Sequence, residues 1–118
     1  MSTLSCVFCK IVAGSISSPR LFESQQFIVI RDIQPQAKVH LLVIPKKHVG
    51  GLTDVTQDSE GHALLSGLLS TAIRVAEQEG LSERGYRTVI NTREWGGQTV
   101  DHLHLHVLGG QPLKGGFA

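Results

Sequence analysis

The sequence is poor in aromatic residues, in cysteine and in net charge, and each shortage excludes a class of protein. Aromatic residues make up 5% of the 118 residues, too few for a surface that stacks single-stranded nucleic acid. A formal net charge of +1 provides no basic field for nucleic acid or an anionic membrane. Two cysteines are too few for a disulfide scaffold. We therefore expect any ligand to be a small molecule.

Long apolar runs are also missing, so the sequence predicts no membrane-spanning helix. The segment Met1–Ser5 lacks the basic and apolar regions of a secretory signal peptide. We therefore expect a soluble, cytoplasmic protein with reduced cysteines and with neither a membrane nor a nucleic acid as partner. A chain of this length is expected to form a single domain over residues 1–118.

Apolar patterning predicts an α+β fold in which a short N-terminal helix precedes the order β-β-β-α-β-β. One long amphipathic helix is predicted from about Gln57 to Glu79, where apolar residues recur every three or four positions and Gly80 follows. Short links between the elements favour a five-stranded antiparallel meander backed by this helix. The short helix and the strands are predicted at Val7–Ala13, Leu21–Glu23, Phe27–Arg31, Val39–Ile44, Tyr86–Asn91 and Asp101–Leu108.

The most informative motif is an alternating histidine run near the C-terminus. His102, His104 and His106 are half of the six histidines, and Leu103 and Leu105 separate them. In an extended strand alternate side chains share a face, so the imidazoles are expected on one side and the apolar residues on the other. The alternative is an incidental, tag-like histidine run. Strict alternation with core-type residues inside the chain argues against it.

Two chemistries fit three imidazoles in a row, and their spacing alone does not choose between them. A neutral imidazole attacks phosphorus through one ring nitrogen while a hydrogen bond holds the other, and the central His104 is the natural nucleophile. Alternate histidines on a strand also converge on zinc. A hairpin formed by the last two predicted strands is expected to bring Asn91 near His102.

Two further features favour phosphate chemistry, and each has a plainer alternative. Gly96–Thr99 precedes the histidine run, and glycine lets backbone N–H groups approach an anion closely, but a Gly-Gly pair is often only a turn. Asp32 follows an apolar strand, so its carboxylate is placed to accept two ribose hydroxyls beside an apolar pocket. A surface turn residue is the alternative for Asp32.

The segment Gly97–Gly110 resembles the signature of the histidine triad family, His-x-His-x-His-x-x with x apolar. Its Gly109–Gly110 ending is most similar to the Hint branch of nucleoside phosphoramidases. Similar segments at Phe8–Ile11, Asp32–Ala37 and His40–His48 extend the resemblance over nearly the whole chain. The resemblance implies a homodimer whose two five-stranded sheets join, with a purine nucleotide site in each protomer.

The resemblance also implies a role for each matching residue. His104 is expected to attack the α-phosphorus of a purine nucleoside phosphoramidate, forming a nucleotidyl-histidine that water converts to the nucleoside monophosphate. His106 is expected to contact phosphate and assist the amine leaving group, and His102 and His40 to orient the row. The implied phosphate-contacting residues are Asn91, Gly97, Gln98 and Thr99. The implied ribose-binding carboxylate is Asp32, with Ile33 as its neighbour in the substrate site, and the base-pocket residues are Phe8, Ile16, Ile30 and Leu42.

Three alternatives accompany these expectations. For the four base-pocket residues, an ordinary core role is preferred. A dinucleotide polyphosphate hydrolase is one alternative activity. A nucleotide-binding or scaffold module that retains the histidine row without a catalytic task is the other.

Cys6 and Cys9 indicate a metal ligand pair. Their two-residue gap lets both sulfurs bind one Zn²⁺, and a four-coordinate site needs two more ligands. The resemblance to triad proteins that carry an N-terminal Cys-x-x-Cys implies His48 and His102 as those ligands. Two reduced, half-buried thiols without metal are the alternative. The expected chemistry requires no cofactor. His62 on the long helix is expected to be solvated or to lie at the edge of the dimer interface.

Overall fold

The computed structural model describes residues 5–116. The expectations for the two ends of the predicted domain, including that for Met1–Leu4, lie outside the described residues. No helix within 5–116 combines the length and hydropathy needed to cross a lipid bilayer. The α-helices are α1 (Val7–Val12) and α2 (Ser59–Gln78), and short 3-10 helices lie at Leu52–Asp54 and Glu94–Gly96. The strands are β1 (Phe22–Glu23), β2 (Phe27–Arg31), β3 (Val39–Pro45), β4 (Arg87–Val89) and β5 (Leu105–Gly109).

The five strands form one antiparallel sheet in the order β1-β2-β3-β5-β4. The order follows the predicted meander only through β3, because β5 lies between β3 and β4. In this register His106 lies opposite Leu42 of β3 and Val89 of β4. Asn91 and His102 both lie outside these paired strands, so the expected proximity of the two residues stays a prediction.

Both faces of β2 and β3 are covered, which explains why these strands are almost continuously apolar. Helix α2 packs on one face, and the N-terminal segment with α1 packs on the other. The core on the α2 face includes Val29, Leu41, Val43, Leu68, Ala72, Val75, Leu103, Leu105 and Val107. The core on the α1 face consists of Cys6, Phe8, Ile11, Ile28, Ile30, Leu42 and Ile44.

Helix α2 begins and ends where its flanking residues satisfy the backbone. The carboxylate of Asp58 accepts the Gly61 N–H at 3.0 Å, which caps the N-terminus. Beyond the C-terminus, Gly80 has a φ of +75°, a left-handed conformation that favours glycine. The predicted helix therefore exists, two residues shorter at its start and one shorter at its end.

The predicted histidine strand is only partly regular. Strand β5 begins at Leu105, so His106 is the one triad histidine within it. The backbone N–H groups of His102 and Leu103 donate to Val100 and Val49 rather than to a neighbouring strand, which delays the start of β5. The predicted division of faces is confirmed, because the alternating apolar residues enter the α2-side core.

Candidate active site

Four imidazoles and one phenyl ring form a cluster on the α1 face of the sheet. The ring centroid of His104 lies 5.1 Å from those of Phe8 and His106. The ring of His106 in turn lies 5.1 Å from that of His40 on β3. Phe8 also contacts His102 edge-on, with centroids 5.8 Å apart. Helix α1 therefore closes one side of the histidine row.

The hydrogen bond made by His104 determines its protonation. Its Nδ1 lies 2.7 Å from the backbone oxygen of His102, which only accepts, so Nδ1 carries the proton. The lone pair is consequently on Nε2. Burial lowers the pKa of His104, opposed by the His102 carbonyl and the Asp32 carboxylate. A neutral imidazole with a free Nε2 lone pair is the form that attacks an electrophile.

His40 and His106 form a second determined pair. The Gln36 N–H donates to Nδ1 of His40 at 3.0 Å, so the proton of His40 is on Nε2. That Nε2–H donates to Nδ1 of His106 at 2.9 Å. Neutral His106 therefore carries its own proton on Nε2. Burial, with smaller contributions from His104 and His40, lowers the pKa of His106 to about 4.

Asp32, His40 and His106 also bring potential metal-ligand atoms within 4.8 Å of one another. The Asp32 Oδ2 lies 3.4 Å from Nε2 of His40. A metal bound to Nε2 of His40 would displace the proton from that atom. Neutral His40 would then carry its proton on Nδ1, where it would face the N–H of Gln36, which is also a donor. These three residues are thus suited to holding fixed tautomers by hydrogen bonding rather than to binding a metal.

Cys6, Cys9, His48 and His102 form a separate group whose ligand atoms all lie within 4.8 Å of one another. Contacts inside this group span 3.1 to 3.5 Å. A tetrahedral zinc with bonds of about 2.0–2.3 Å separates its ligand atoms by roughly 3.3–3.8 Å. The described residues therefore fit a Cys₂His₂ zinc site.

The protonation of this group also suits a metal. Nε2 of His102 lies 2.8 Å from the oxygen of Pro45 and must donate to it, which leaves the Nδ1 lone pair facing the two cysteines. Burial lowers the pKa of His102 to about 4. Burial and the neighbouring Cys6 raise the pKa of Cys9 to about 11, so a metal must displace the thiol proton.

The loop that precedes the histidines is held under backbone strain. Arg93 has φ 58° and ψ −174°, a region essentially restricted to glycine, which costs about 1–3 kcal/mol. The carboxamide of Asn91 donates to the Gly96 oxygen at 2.7 Å. Gly97 has a φ of +80°, and Thr99 is exposed. Strain persists only where surrounding contacts over-determine it, and it concentrates at functional sites.

The predicted ribose and base residues divide into two groups. Asp32 is half-buried, with Oδ1 accepting the Gln34 N–H at 2.9 Å, and the neighbouring Ile33 is 93% exposed. Ile16 is 39% exposed, so the preferred core role is wrong for this residue. The core role is confirmed for the other three base-pocket residues, which are buried on the α1 face: Phe8, Ile30 and Leu42.

Sequence reasoning missed the backbone groups that define the site. The Gln36 N–H, the Pro45 oxygen and the His102 oxygen fix the tautomers of three imidazoles. Any residue type supplies such groups, so no motif marks them. One missed signal was present in the sequence: the pair Gly50–Gly51, against which the side chain of Gln98 packs.

An antiparallel α+β sheet that carries a row of oriented imidazoles on a covered face is the arrangement of the histidine triad class. The family model for the HIT domain matches residues 13–113. The chain belongs to the HIT family.

Known relatives agree with this assignment. A purine nucleoside phosphoramidase of Escherichia coli is 40% identical over 107 residues, which covers 91% of this chain and 88% of that protein. A HIT family hydrolase from Legionella pneumophila superposes with a TM-score of 0.87 at 49% identity, covering 93% of this chain and 96% of that one. A zinc-bound histidine triad family protein from Mycobacterium smegmatis has a TM-score of 0.74 at 39% identity, covering 92% and 76% of the two chains. These relationships support a hydrolase.

Proposed function

We propose that this protein hydrolyses the phosphorus–nitrogen bond of purine nucleoside phosphoramidates, such as conjugates of AMP with an amine, through a nucleotidyl-histidine. One observation carries the proposal: His104 is neutral in a tautomer that leaves its Nε2 lone pair free. The phosphoramidase activity named for the E. coli relative supports the choice of substrate.

The assigned roles follow from the determined protons. Nε2 of His104 attacks the α-phosphorus, and the Nε2–H of His106 hydrogen-bonds the phosphoryl group or the leaving nitrogen. His40 holds His106 in the tautomer that can donate, because its own Nε2–H occupies Nδ1 of His106. The backbone oxygen of His102 holds His104 in the tautomer that can attack.

The two half-reactions balance in atoms and protons. A bond forms between His104 Nε2 and phosphorus as the bond from phosphorus to the amine breaks. The leaving nitrogen accepts a hydrogen bond from His106 Nε2–H and takes a proton from solvent water. Water then attacks the phosphorus and gives a proton back to the solvent, and His106 stays neutral in both half-reactions. The bond to His104 breaks, which releases the nucleoside monophosphate and restores the imidazole of His104.

The remaining site residues form the nucleotide-binding surface. Asn91, Gly97, Gln98 and Thr99 form the phosphate loop, where the backbone N–H and the hydroxyl of Thr99 meet the developing negative charge. The N–H groups of Gly97 and Gln98 donate to the oxygens of Glu94 and Arg93 and shape the loop. Asp32 binds the ribose hydroxyls through its carboxylate. Ile33 offers exposed apolar surface beside the sugar and base.

Turnover of an adenosine phosphoramidate tests the proposal. The protein is expected to release AMP and amine, and His104→Ala to lower kcat by at least about 10³-fold with no nucleotidylated protein. His106→Ala is expected to cost about 10²–10³-fold, the contribution of one fixed hydrogen-bond donor to the transition state. His62→Ala, which changes an exposed histidine on α2, is the matched control and keeps full activity.

Three results would contradict the proposal. They are no turnover by the unmodified protein, turnover that survives His104→Ala, and mass-spectrometric detection of the nucleotidyl group on another residue. A higher kcat/KM for diadenosine polyphosphates would favour the dinucleotide polyphosphate hydrolase. AMP binding without turnover of either substrate would favour a nucleotide-binding module.

We propose in addition a structural zinc held by Cys6, Cys9, His48 and His102. The donor set, the spacing of the ligand atoms and the free Nδ1 of His102 support it. So does the zinc-bound M. smegmatis relative. When bound, the metal links the N-terminal segment to the catalytic row, and it takes no part in the chemistry.

Metal analysis of protein purified without a histidine tag tests the zinc site. We expect about one zinc per chain, because both thiols and both imidazoles are already gathered. Chelation is expected to lower the melting temperature, since a ligand bound only by the folded state stabilises it. Cys9→Ser is expected to lose the metal, and His62→Ala to retain it. A zinc content well below one equivalent overturns the site.

A further inference from the structure

The carboxamide of Gln98 is saturated by three backbone groups. Its Nε2 donates to the oxygens of Gly50 at 2.7 Å and of Val100 at 2.9 Å. Its Oε1 accepts the Arg93 N–H at 2.8 Å. Both protons of the amide are used, and the oxygen has a strong partner. The polar atoms of the Gln98 side chain therefore bind backbone groups of the protein rather than a ligand.

The slot around Gln98 fits this side chain closely. A Cβ atom at Gly51 would lie 2.9 Å from Oε1 and 3.4 Å from Nε2 of Gln98, so only glycine leaves room for the amide. Gln98 is half-buried and Gly51 is buried. The adjacent glycines of the 50–51 segment thus let the backbone approach the side chain of Gln98, which lies 48 residues from Gly50 in the sequence.

Gln98 ties together the parts of the phosphate loop. One contact is the N–H of strained Arg93, whose guanidinium also bonds Thr53 and Asp54. Another is the oxygen of Val100, which also accepts the His102 N–H at 2.8 Å. The backbone N–H of Gln98 itself closes the loop by donating to the Arg93 oxygen at 3.0 Å. One side chain thus connects the start of the loop, its end and the entry to the histidine row.

We propose that Gln98 is a positioning residue for phosphoryl transfer: its side chain holds the backbone of Gly97 and Thr99 rigid, and does not itself contact the phosphate. The inference rests on the proposed function, because the loop is taken to receive the phosphoryl group attacked by His104. Hydrogen-bond donors that are fixed in advance stabilise developing charge without reorganisation during the reaction. Releasing the loop therefore weakens the transition state more than the ground state.

Two variants of nearly equal size separate positioning from direct contact. Gln98→Met keeps the length of the side chain and removes all three hydrogen bonds. Gln98→Glu keeps the shape, and places a carboxylate oxygen against the carbonyl oxygens of Gly50 and Val100. Gln57→Glu makes the same charge change at an exposed position and serves as the matched control.

Kinetics give the first readout. Gln98→Met is expected to lower kcat for an adenosine phosphoramidate by about 10²-fold, the cost of a misplacement on the order of 1 Å, with KM little changed. Gln98→Glu is expected to be worse at neutral pH. It should recover relative to the unmodified protein as the pH falls, because a protonated carboxyl regains one donor. Gln57→Glu is expected to show neither effect.

Loop order gives a second readout that needs no turnover. In both Gln98 variants the Arg93 N–H is expected to exchange with solvent faster, because its acceptor is removed or its loop is loosened. Trp95 is the only tryptophan, is 99% exposed and lies on the same loop. Its fluorescence anisotropy is therefore expected to fall in the variants. Affinity for AMP, measured against affinity for adenosine, is expected to change little.

Specific results would overturn the inference. If Gln98→Met loses AMP affinity while adenosine affinity, Arg93 exchange and Trp95 anisotropy are unchanged, the side chain is a phosphate ligand. Unchanged kcat in both variants also overturns it. If the unmodified protein does not turn over the phosphoramidate, the proposed function fails. By contrast, if Arg93 exchange and Trp95 anisotropy are unchanged in both Gln98 variants, Gln98 does not hold the loop, whether or not the protein turns over the phosphoramidate.

Discussion

At the scale of single residues, this site is governed by which atom of each imidazole carries the proton. His104 and His106 have the same intrinsic chemistry, yet a carbonyl at Nδ1 of one and an N–H donor at Nδ1 of the other leave opposite atoms free. One presents a lone pair and the other an N–H. The proposed nucleophile and the proposed hydrogen-bond donor thus differ only in their hydrogen-bond partners.

The depressed pKa of His106 predicts a pH-dependent stability. Above about pH 7 the His106 imidazole is neutral in both the folded and the unfolded protein. In the unfolded chain it takes up a proton below its usual pKa of 6.5, whereas the folded protein accepts that proton only near pH 4. The free energy of unfolding is therefore expected to decrease as the pH falls from about 6.5 to about 4. Urea denaturation at several pH values measures the decrease.

A substitution isolates the contribution of His106. His106→Asn removes the titrating group, so its stability is expected to fall less steeply over the same pH range. His62→Asn, at an exposed position, is expected to retain the steep decrease. Equal slopes for the unmodified protein and His106→Asn would contradict the prediction.

At the scale of elements, the sheet and α2 approach closely at Gly67 of the helix. A Cβ atom at Gly67 would lie 2.6 Å from Cε2 of Phe27, a residue of β2 that is 3% exposed. The surrounding core leaves that ring little freedom to move, because protein interiors are close-packed. Gly67 therefore sets the distance between α2 and β2.

Gly67→Ala tests this contact, because helix propensity and packing predict opposite signs. Alanine favours the helix by about 1 kcal/mol. Overpacking a core costs about 1–3 kcal/mol, and the steric contact is severe here. We expect a net decrease of about 1–2 kcal/mol in the free energy of unfolding by urea. Ser66→Ala, on the exposed face of the same helix, is expected to be neutral or stabilising. A stabilised Gly67→Ala would refute the contact.

At the scale of the whole molecule, the sheet is covered differently on its two faces. The long helix α2 supplies the larger core, whereas α1 and the Cys6–Cys9 segment cover the face with the histidines. The second face therefore combines the proposed zinc site and the proposed catalytic row. His102 belongs to both, since its ring faces the cysteines and its backbone oxygen holds His104.

We propose that two copies of this chain associate, as the family resemblance implies. Light scattering is expected to give twice the chain mass of 12.8 kDa. Leu69 and Ile73, one turn apart on α2, are 52% and 57% exposed, an apolar surface that association would cover. A mass of one chain at all concentrations would contradict the homodimer.

Periodicity in the sequence correctly predicted the elements because it reflects local geometry. The spacing of apolar residues identified α2 within two residues and β2 without error, and the alternation around His104 placed imidazoles and leucines on opposite faces. The gathering of Cys6, Cys9, His48 and His102 was also expected, from spacing together with the family resemblance. The predicted roles in binding and catalysis stay predictions.

The sequence by itself determined which side chains line each face, because side-chain direction repeats every two residues in a strand and every 3.6 in a helix. Only the tertiary structure decided the position of β5 in the sheet, the tautomer of each histidine and the inward direction of Gln98. Those features depend on backbone groups distant along the chain, such as the Pro45 oxygen at His102 and the Gly50 oxygen at Gln98. Every residue type carries a backbone oxygen, so the amino-acid sequence does not indicate which oxygen accepts these hydrogen bonds.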